Sequence, residues 1–107
     1  MKKRVLWFSR HEMTESQMKA LGDCEITKID RTIQSAYELE KEISEHDVIA
    51  IVAPINLQAQ FIKIAGNKPV IMAVNDRVLK DDGSYEFVFN KWEQIDKIEV
   101  IKHDYQP

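Results

Sequence analysis

Val48-Ile49-Ala50-Ile51-Val52 is an unbroken run of five apolar residues, and Pro54 follows shortly after it. A strand with one face in water alternates apolar and polar side chains, whereas this run shows no alternation. Continuous apolar character is typical of a central parallel strand that helices cover on both faces. The run therefore predicts an α/β fold built around a parallel sheet.

The sequence on either side of this run alternates between strand and helix patterns. Apolar runs predict further strands at residues 4–8, 25–29 and 70–74, and the capped segment 14–21 predicts the first helix. Strands that alternate with helices form parallel sheets through right-handed crossover connections. We therefore expect a three-layer, Rossmann-like open sheet that is mainly parallel.

Each predicted helix begins near a residue that can cap it. Thr14 with Gln17, and Ser35 with Glu38, have the spacing of capping boxes, and Asn56 can cap the third helix. Apolar side chains recur at helical spacing in the second and third helices: Ala36, Leu39 and Ile43, then Leu57, Phe61, Ile64 and Ala65. His46, after the second helix, is expected to be exposed at the helix end.

The C-terminal third of the chain follows a different pattern. Asp82-Gly83 lies between Val78-Leu79 and the run at 85–89, which is the composition of a β-hairpin turn. Residues 98–102 are predicted to form a final strand. The 107 residues contain no repeat or linker and are enough for one core, so we predict a single domain over 1–107.

Charge and hydropathy limit the partners of this chain. The net charge is −3, and Lys2-Lys3-Arg4 is the one basic run, so a surface that coats long nucleic acid is not expected. The sequence has neither the basic leader of a signal peptide nor an apolar stretch of membrane-spanning length. These features predict a cytoplasmic protein that does not associate with membranes.

Cysteine and histidine usage argues against a metal centre. Cys24 is the single cysteine and cannot form an intramolecular disulfide. His11, His46 and His103 are scattered and do not have zinc-ligand spacing. The sequence therefore predicts neither a metal site nor a bound cofactor.

Polar residues follow three of the predicted parallel strands. They are Ser9-Arg10-His11, then the turn at 53–56 with Pro54 and Asn56, then Asn75-Asp76-Arg77. If the first strand is central, the three segments converge at one edge of the sheet, where open α/β sheets bind ligands. Guanidinium, hydroxyl and amide groups suit phosphate and ribose. Imidazole is the side chain that exchanges protons most readily near neutral pH.

Each of these residues also has a purely structural interpretation. A serine after a strand commonly satisfies an amide of the turn, and a surface arginine commonly forms an ion pair. Asn56 can serve simply as a helix cap. The alternating aromatic residues Tyr85, Phe87 and Phe89 are most simply core or dimer contacts.

Two segments resemble a known family. Trp7-Phe8-Ser9-Arg10-His11 and Pro54-Ile55-Asn56-Leu57-Gln58-Ala59 are similar to the small single-domain CRISPR-associated proteins related to CARF domains. That family has a strand ending in Ser-Arg-His, followed about forty residues later by a Leu-Pro-Val-Asn-Leu-Ala-Ala type turn and helix. The chain departs from this pattern at Glu12, where proline is usual, and at Ala53, where leucine is usual.

The resemblance implies a ring nuclease. Such a protein is a homodimer that binds cyclic oligoadenylate, the second messenger of type III CRISPR systems, and cuts it without metal. Ser9, Arg10 and His11 would then be the catalytic residues. The ligand-binding residues would be Pro54, Asn56, Gln58, Asn75 and Arg77.

Metal-free cleavage of a ribose phosphodiester requires chemistry that these residue types can supply. The 2′-hydroxyl must be aligned with the leaving oxygen, and positive donors must contact the non-bridging oxygens. Arg10 and Arg77 are candidate donors, His11 is a candidate for proton transfer, and Ser9 can position a phosphate or ribose. A cyclic tetranucleotide has a two-fold axis, which a two-fold dimer would match.

Two other functions are compatible with the sequence. Arg10-His11-Glu12-Met13-Thr14 resembles the Arg-His-Gly-Glu-Thr signature of histidine phosphatases without its glycine, which would make His11 the phosphorylated residue. A non-catalytic module that senses a nucleotide or a partner protein would use the same arginine and amide groups.

Overall fold

The computed structural model describes residues 2–99 and 101–107. The chain alternates strands and helices, and a 3₁₀ turn, Ala36–Leu39, leads into the second helix. In chain order the elements are β1 Lys3–Phe8, α1 Glu15–Leu21, β2 Cys24–Ile29, α2 Glu40–Ser44, β3 Val48–Ile51, α3 Ile55–Ala65, β4 Val70–Leu79 and β5 Tyr85–Gln94.

One mixed sheet joins the five strands of the described residues. The strand order is β2-β1-β3-β4-β5. Strands β2, β1, β3 and β4 are parallel, and β5 is antiparallel to β4. The first strand is therefore an interior strand, with β2 and β3 as its neighbours, and the prediction of an α/β fold with a mainly parallel sheet is confirmed.

Two apolar clusters cover the two faces of the sheet. On one face, Met13 before α1 and Leu21 at the end of α1 pack beside β1 and the indole of Trp92 from β5. On the other face, the 3₁₀ turn, α2 and α3 pack through a larger cluster that includes Ala36, Leu39, Ile43, Leu57, Phe61 and Ala65. The sheet is thus the middle of three layers.

Strand β3 is buried, as the apolar run at 48–52 predicts. All four residues of β3, Val48–Ile51, are buried. The predicted last residue, Val52, lies just beyond the strand, where its amide donates to Phe8 O over 2.9 Å. Ile49 and Ile51 contribute to one apolar cluster and Val48 and Ala50 to the other, so the strand is covered on both faces.

Helix starts follow the predicted caps in two cases of three. The capping boxes of Thr14 with Gln17 and of Ser35 with Glu38 are both formed. The cap predicted at Asn56 is wrong, because α3 begins two residues earlier than that cap would allow, with Pro54 as its cap residue and without a side-chain capping bond. Pro54 O accepts from the amides of Leu57 and Gln58, so the proline begins the helix.

The predicted loop at 75–77 is wrong because β4 continues through it. Residues that we predicted as a strand, a loop and a short second strand form one ten-residue strand, Val70–Leu79. Backbone pairing with β5 extends along its whole length, with a bulge between Val74 and Asn75. The hairpin turn at Asp82-Gly83 is confirmed, and Gly83 has a φ of +87°, a conformation that glycine adopts without strain.

The predicted last strand at 98–102 is not formed in its described residues. Residues 98, 99, 101 and 102 have no strand pairing, and Val100 lies outside the described residues. The sheet ladder ends where the Ile95 amide donates to Val70 O over 2.8 Å. Ile101 is 87% exposed, because the chain has left the sheet and has no apolar surface to pack against.

His46 is buried rather than exposed. Its ring lies at the C-terminal end of α2 with 8% exposure, and Nδ1 is 2.6 Å from Glu42 O. A histidine at a helix end can bond to a free carbonyl of the last turn, and here that bond satisfies the buried ring.

No helix in the described part of the chain is long and apolar enough to cross a membrane.

Asp47 makes the fold sensitive to acid. The Arg4 amide donates to Asp47 Oδ2 over 2.9 Å, and this bond holds the pKa of the Asp47 carboxyl below its ordinary value of 3.8. A carboxyl whose pKa is lowered by folding stabilises the folded state above its ordinary pKa, and this stabilisation is lost as pH falls through the lowered value.

We therefore expect Asp47→Asn to lower the free energy of unfolding at neutral pH, with the difference from wild type disappearing in strong acid. Urea unfolding of both proteins at neutral and acidic pH measures this difference. A destabilisation that is the same at both pH values would show that the carboxylate charge is not involved.

Candidate functional site

The turn after β1 is held by three hydrogen bonds. The Ser9 amide donates to Ile29 O over 3.1 Å. Ser9 itself is 5% exposed, and its Oγ accepts from the His11 amide over 3.1 Å. The indole Nε1 of buried Trp7 donates to His11 O over 2.7 Å. The backbone of His11 is therefore fixed at both its amide and its carbonyl.

A cavity of about 370 Å³ opens beside this turn, and we call it the Arg10 cavity. Its walls come from the carboxyl ends of three neighbouring strands and the start of α3. The lining residues are Phe8, Ser9, Arg10 and His11 after β1, Ile29, Asp30, Arg31, Thr32 and Ile33 after β2, and Val52, Pro54 and Leu57 after β3. Arg10 and His11 thus share one solvent-reachable hollow.

The charges around the Arg10 cavity favour an anion. Arg10 Nη2 donates to Thr32 Oγ1, and no carboxylate within the described residues forms an ion pair with Arg10. Lys28 Nζ lies 2.8 Å from Glu12 and 4.0 Å from Asp30, so its charge offsets one of the two nearby carboxylate charges. The Arg10 guanidinium keeps most of its donors free, and such donors suit phosphate oxygens.

Arg31 is the second guanidinium at the cavity. It lies 3.8 Å from a carboxylate oxygen of Glu42, and the arginine side chain is 55% exposed. The Glu42 side chain is 30% exposed, so the pair is partly buried on the glutamate side, and the exposed part of the Arg31 guanidinium can approach a ligand phosphate.

A second cavity lies on the other side of the same turn. It has a volume of about 290 Å³ and shares Ser9, His11 and Val52 with the Arg10 cavity. Its remaining walls are Trp7, Glu12, Thr14, Gln17, Ile51, Met72, Ala73 and Asn75. The turn after β1 and the end of β3 therefore contribute to the walls of two cavities.

The structure brings together part of the predicted site. Ser9, Arg10, His11 and Pro54 line the Arg10 cavity, and Asn75 lines the second cavity. Because Ser9 Oγ already accepts from the turn, its observed contact is with the protein and shapes the backbone beside Arg10.

Three predicted ligand-binding residues lie outside both cavities. Asn56 is exposed on the first turn of α3. Gln58 donates from Nε2 to Ala53 O over 2.6 Å and so supports the turn that precedes α3. Arg77 lies within β4, with its guanidinium carbon 3.8 Å from the ring centre of Tyr85.

The segment Asp30-Arg31-Thr32 is a part of the site that we did not predict. It follows β2, which is parallel to β1 and ends at the same edge of the sheet. A signal was present in the sequence, because charged and hydroxyl residues directly follow the predicted strand at 25–29. The same rule that selected Ser9-Arg10-His11 applies to this segment.

The other two histidines are distant from His11 in the fold. His46 precedes β3 and so lies at the amino edge of the parallel strands, whereas His11 follows β1 at their carboxyl edge. His103 is exposed in the C-terminal segment. Within residues 2–99 and 101–107, no three His, Cys, Asp or Glu side chains cluster closely enough to hold a metal ion.

Comparison of this chain with protein-family models, with curated proteins and with solved structures finds no match. The geometry of the turn after β1 and of its two cavities is therefore the basis on which a function can be argued.

Proposed function

We propose that the Arg10 cavity binds a cyclic oligoadenylate and that the protein cleaves it, as a CARF-like ring nuclease of CRISPR-type defence acting in the cytoplasm. One observation carries this proposal. Arg10 and His11, on one hydrogen-bonded turn, line a single cavity whose nearby acids are paired with Lys28.

The topology supports a nucleotide ligand at this position. The parallel strands have the order β2-β1-β3-β4, which is also the order of the first four strands in flavodoxin-like doubly wound sheets, and this supports the proposal of a Rossmann-like fold. In such sheets the ligand binds outside the carboxyl ends of the strands where the strand order reverses, which is between β1 and β3. Ser9 to His11 follow β1, and Val52 and Pro54 follow β3.

The proposed reaction is attack of a ribose 2′-hydroxyl on the adjacent phosphorus. The 2′-oxygen forms a bond to phosphorus while the bond from phosphorus to the 5′-oxygen breaks, which leaves a 2′,3′-cyclic phosphate and a 5′-hydroxyl. The 2′-hydroxyl loses its proton and the 5′-oxygen gains one. His11 assists this proton transfer, and Arg10 and Arg31 stabilise the charge on the non-bridging oxygens.

The size of the cavity favours a shared ligand. Its volume of about 370 Å³ lies at the lower end of the range for small-molecule sites, about 300 to 1,000 Å³. A cyclic oligonucleotide is larger than a single cavity of this size can enclose. Two copies related by a two-fold axis would present the cavity twice to a ligand with the same symmetry, so the proposal includes a homodimer.

Incubation with cyclic tetra-adenylate in the presence of EDTA tests this function. We expect linear products that end in a cyclic phosphate. A ring that is bound but unchanged would contradict the nuclease and favour the non-catalytic sensor, whereas a ring that is neither bound nor cleaved would contradict both. Hydrolysis of a generic phosphomonoester that is lost in His11→Ala would instead favour the phosphatase.

Arg10→Ala is expected to weaken binding of cyclic tetra-adenylate about 10- to 100-fold, since a hydrogen bond to a charged group contributes about 1.5–3 kcal/mol. The side chain is exposed and contacts Thr32 alone among the hydrogen-bond partners described, so the variant should fold normally. Isothermal titration calorimetry measures the affinity.

Lys63→Ala is a matched control for Arg10→Ala. It removes an exposed cation from α3, beside a different cavity of about 470 Å³. Binding should be unchanged in this control. An equal loss in both variants would point to general charge attraction rather than to the Arg10 cavity.

A further inference from the structure

The β4–β5 hairpin projects beyond the body of the sheet. Strand β3 pairs with β4 only at Val70 and Ile71. The hairpin formed by residues 75–89, which we call the arm, therefore continues without a strand neighbour on the β3 side. Five residues of strand span about 17 Å, so the arm stands well out from the edge of the sheet that carries the Arg10 cavity.

Large apolar side chains are exposed on both faces of the arm. Cross-strand partners share a face, so the pairs Arg77–Phe87 and Leu79–Tyr85 lie on one face and Asp76–Val88 and Val78–Glu86 on the other. Five apolar residues of the arm are between 44% and 72% exposed: Val78, Leu79, Tyr85, Phe87 and Val88. A ligand or partner that covered one face would leave the other in water.

We propose that the arm is the self-association surface of this protein and that a second copy of the chain covers it by reciprocal packing of the two arms. With about 200 Å² for a fully exposed large side chain, the three exposures on the face of Leu79, Tyr85 and Phe87 amount to roughly 370 Å² per protomer. A standard interface takes about 800 Å² from each partner, about two-thirds of it apolar in homodimers. This face of the arm therefore supplies the larger part of the apolar area that such a dimer needs.

The position of the arm also favours a second copy. Val52 and Ile55, at the end of β3 and the start of α3, are exposed at the same edge of the sheet, by 52% and 64%. They extend the apolar surface towards the body of the protein. A two-fold contact uses the same surface on both copies, so two arms would cover each other's exposed Leu79, Tyr85 and Phe87.

Phe87→Glu tests this interface. Phe87 is 72% exposed in the single chain, so a charge at this position should not unfold it, and circular dichroism checks the fold. We expect the wild-type protein to sediment as a dimer without nucleotide. Phe87→Glu should raise the dissociation constant of the dimer by at least about thirtyfold, as expected for loss of a central apolar anchor.

Ile101→Glu is the matched control, because Ile101 is even more exposed but lies outside the arm. This variant should remain dimeric. A monomeric wild-type protein, or a Phe87→Glu variant that dimerises as tightly as wild type, would overturn the proposal. Sedimentation is measured without nucleotide and ligand binding is titrated separately, so failure of the interface is distinguishable from failure of the ligand proposal.

Discussion

His11→Ala is expected to lower the rate of cyclic tetra-adenylate cleavage by about 10²- to 10⁴-fold, the usual contribution of general acid–base catalysis. Affinity should change much less than the rate, because the charged donors to phosphate come from Arg10 and Arg31. Single-turnover kinetics at saturating protein, together with calorimetric titration, separate the two quantities.

The structure makes this substitution a clean test. The contacts that hold the turn use the amide and carbonyl of His11, which Ser9 Oγ and Trp7 Nε1 satisfy. Alanine retains both backbone groups, so the turn should keep its conformation. A variant that cleaves at the wild-type rate would remove His11 from the mechanism. A variant that loses affinity in proportion to rate would make His11 a binding residue.

Phe61→Ala is expected to lower the free energy of unfolding by about 3–5 kcal/mol, the range for a buried phenylalanine replaced by alanine. Phe61 in α3 is 0% exposed, and its ring centre lies 5.3 Å from that of Phe8. The variant leaves a cavity beneath β1, directly before the turn that carries Arg10. Urea denaturation followed by circular dichroism measures the change.

Lys63→Ala is the control on the same helix. Lys63 is exposed, so its replacement by alanine should change the free energy of unfolding by less than about 0.5 kcal/mol. A loss below about 1 kcal/mol in Phe61→Ala would contradict the packing of α3 on the sheet, since a deleted buried ring always loses its transfer free energy.

Local patterns were sufficient to predict much of the fold. The apolar run at Val48 predicted a strand covered on both faces, and the Thr14 and Ser35 capping boxes predicted two helix starts. These features depend on neighbours within a few residues. The continuation of β4 through Asn75 to Arg77 does not, because it depends on pairing with β5 across the hairpin. Sequence periodicity does not report that pairing.

The candidate site likewise has features that local patterns predict and features that depend on tertiary packing. The rule that ligands bind at the carboxyl ends of parallel strands predicted a site at Arg10 and His11, and both residues line one cavity in the structure. The hydrogen bond from Trp7 Nε1 to His11 O depends on the orientation of an indole within a three-layer core. Arg77 lies outside the site because β4 continues through it and pairs with β5. Its guanidinium therefore lies on the arm, against the ring of Tyr85.

Mapping of backbone amide shifts by NMR on titration of the slowly cleaving His11→Ala variant with cyclic tetra-adenylate tests the central claim most directly. We expect the largest changes at residues 9–11 and 30–32, which line the Arg10 cavity. The larger cavity beside Lys63 and Lys68 provides an internal comparison, because it is also basic but lies away from the carboxyl ends of β1 and β3. Changes centred on Lys63 and Lys68, or no changes at saturating nucleotide, would contradict the assignment of the Arg10 cavity as the ligand site.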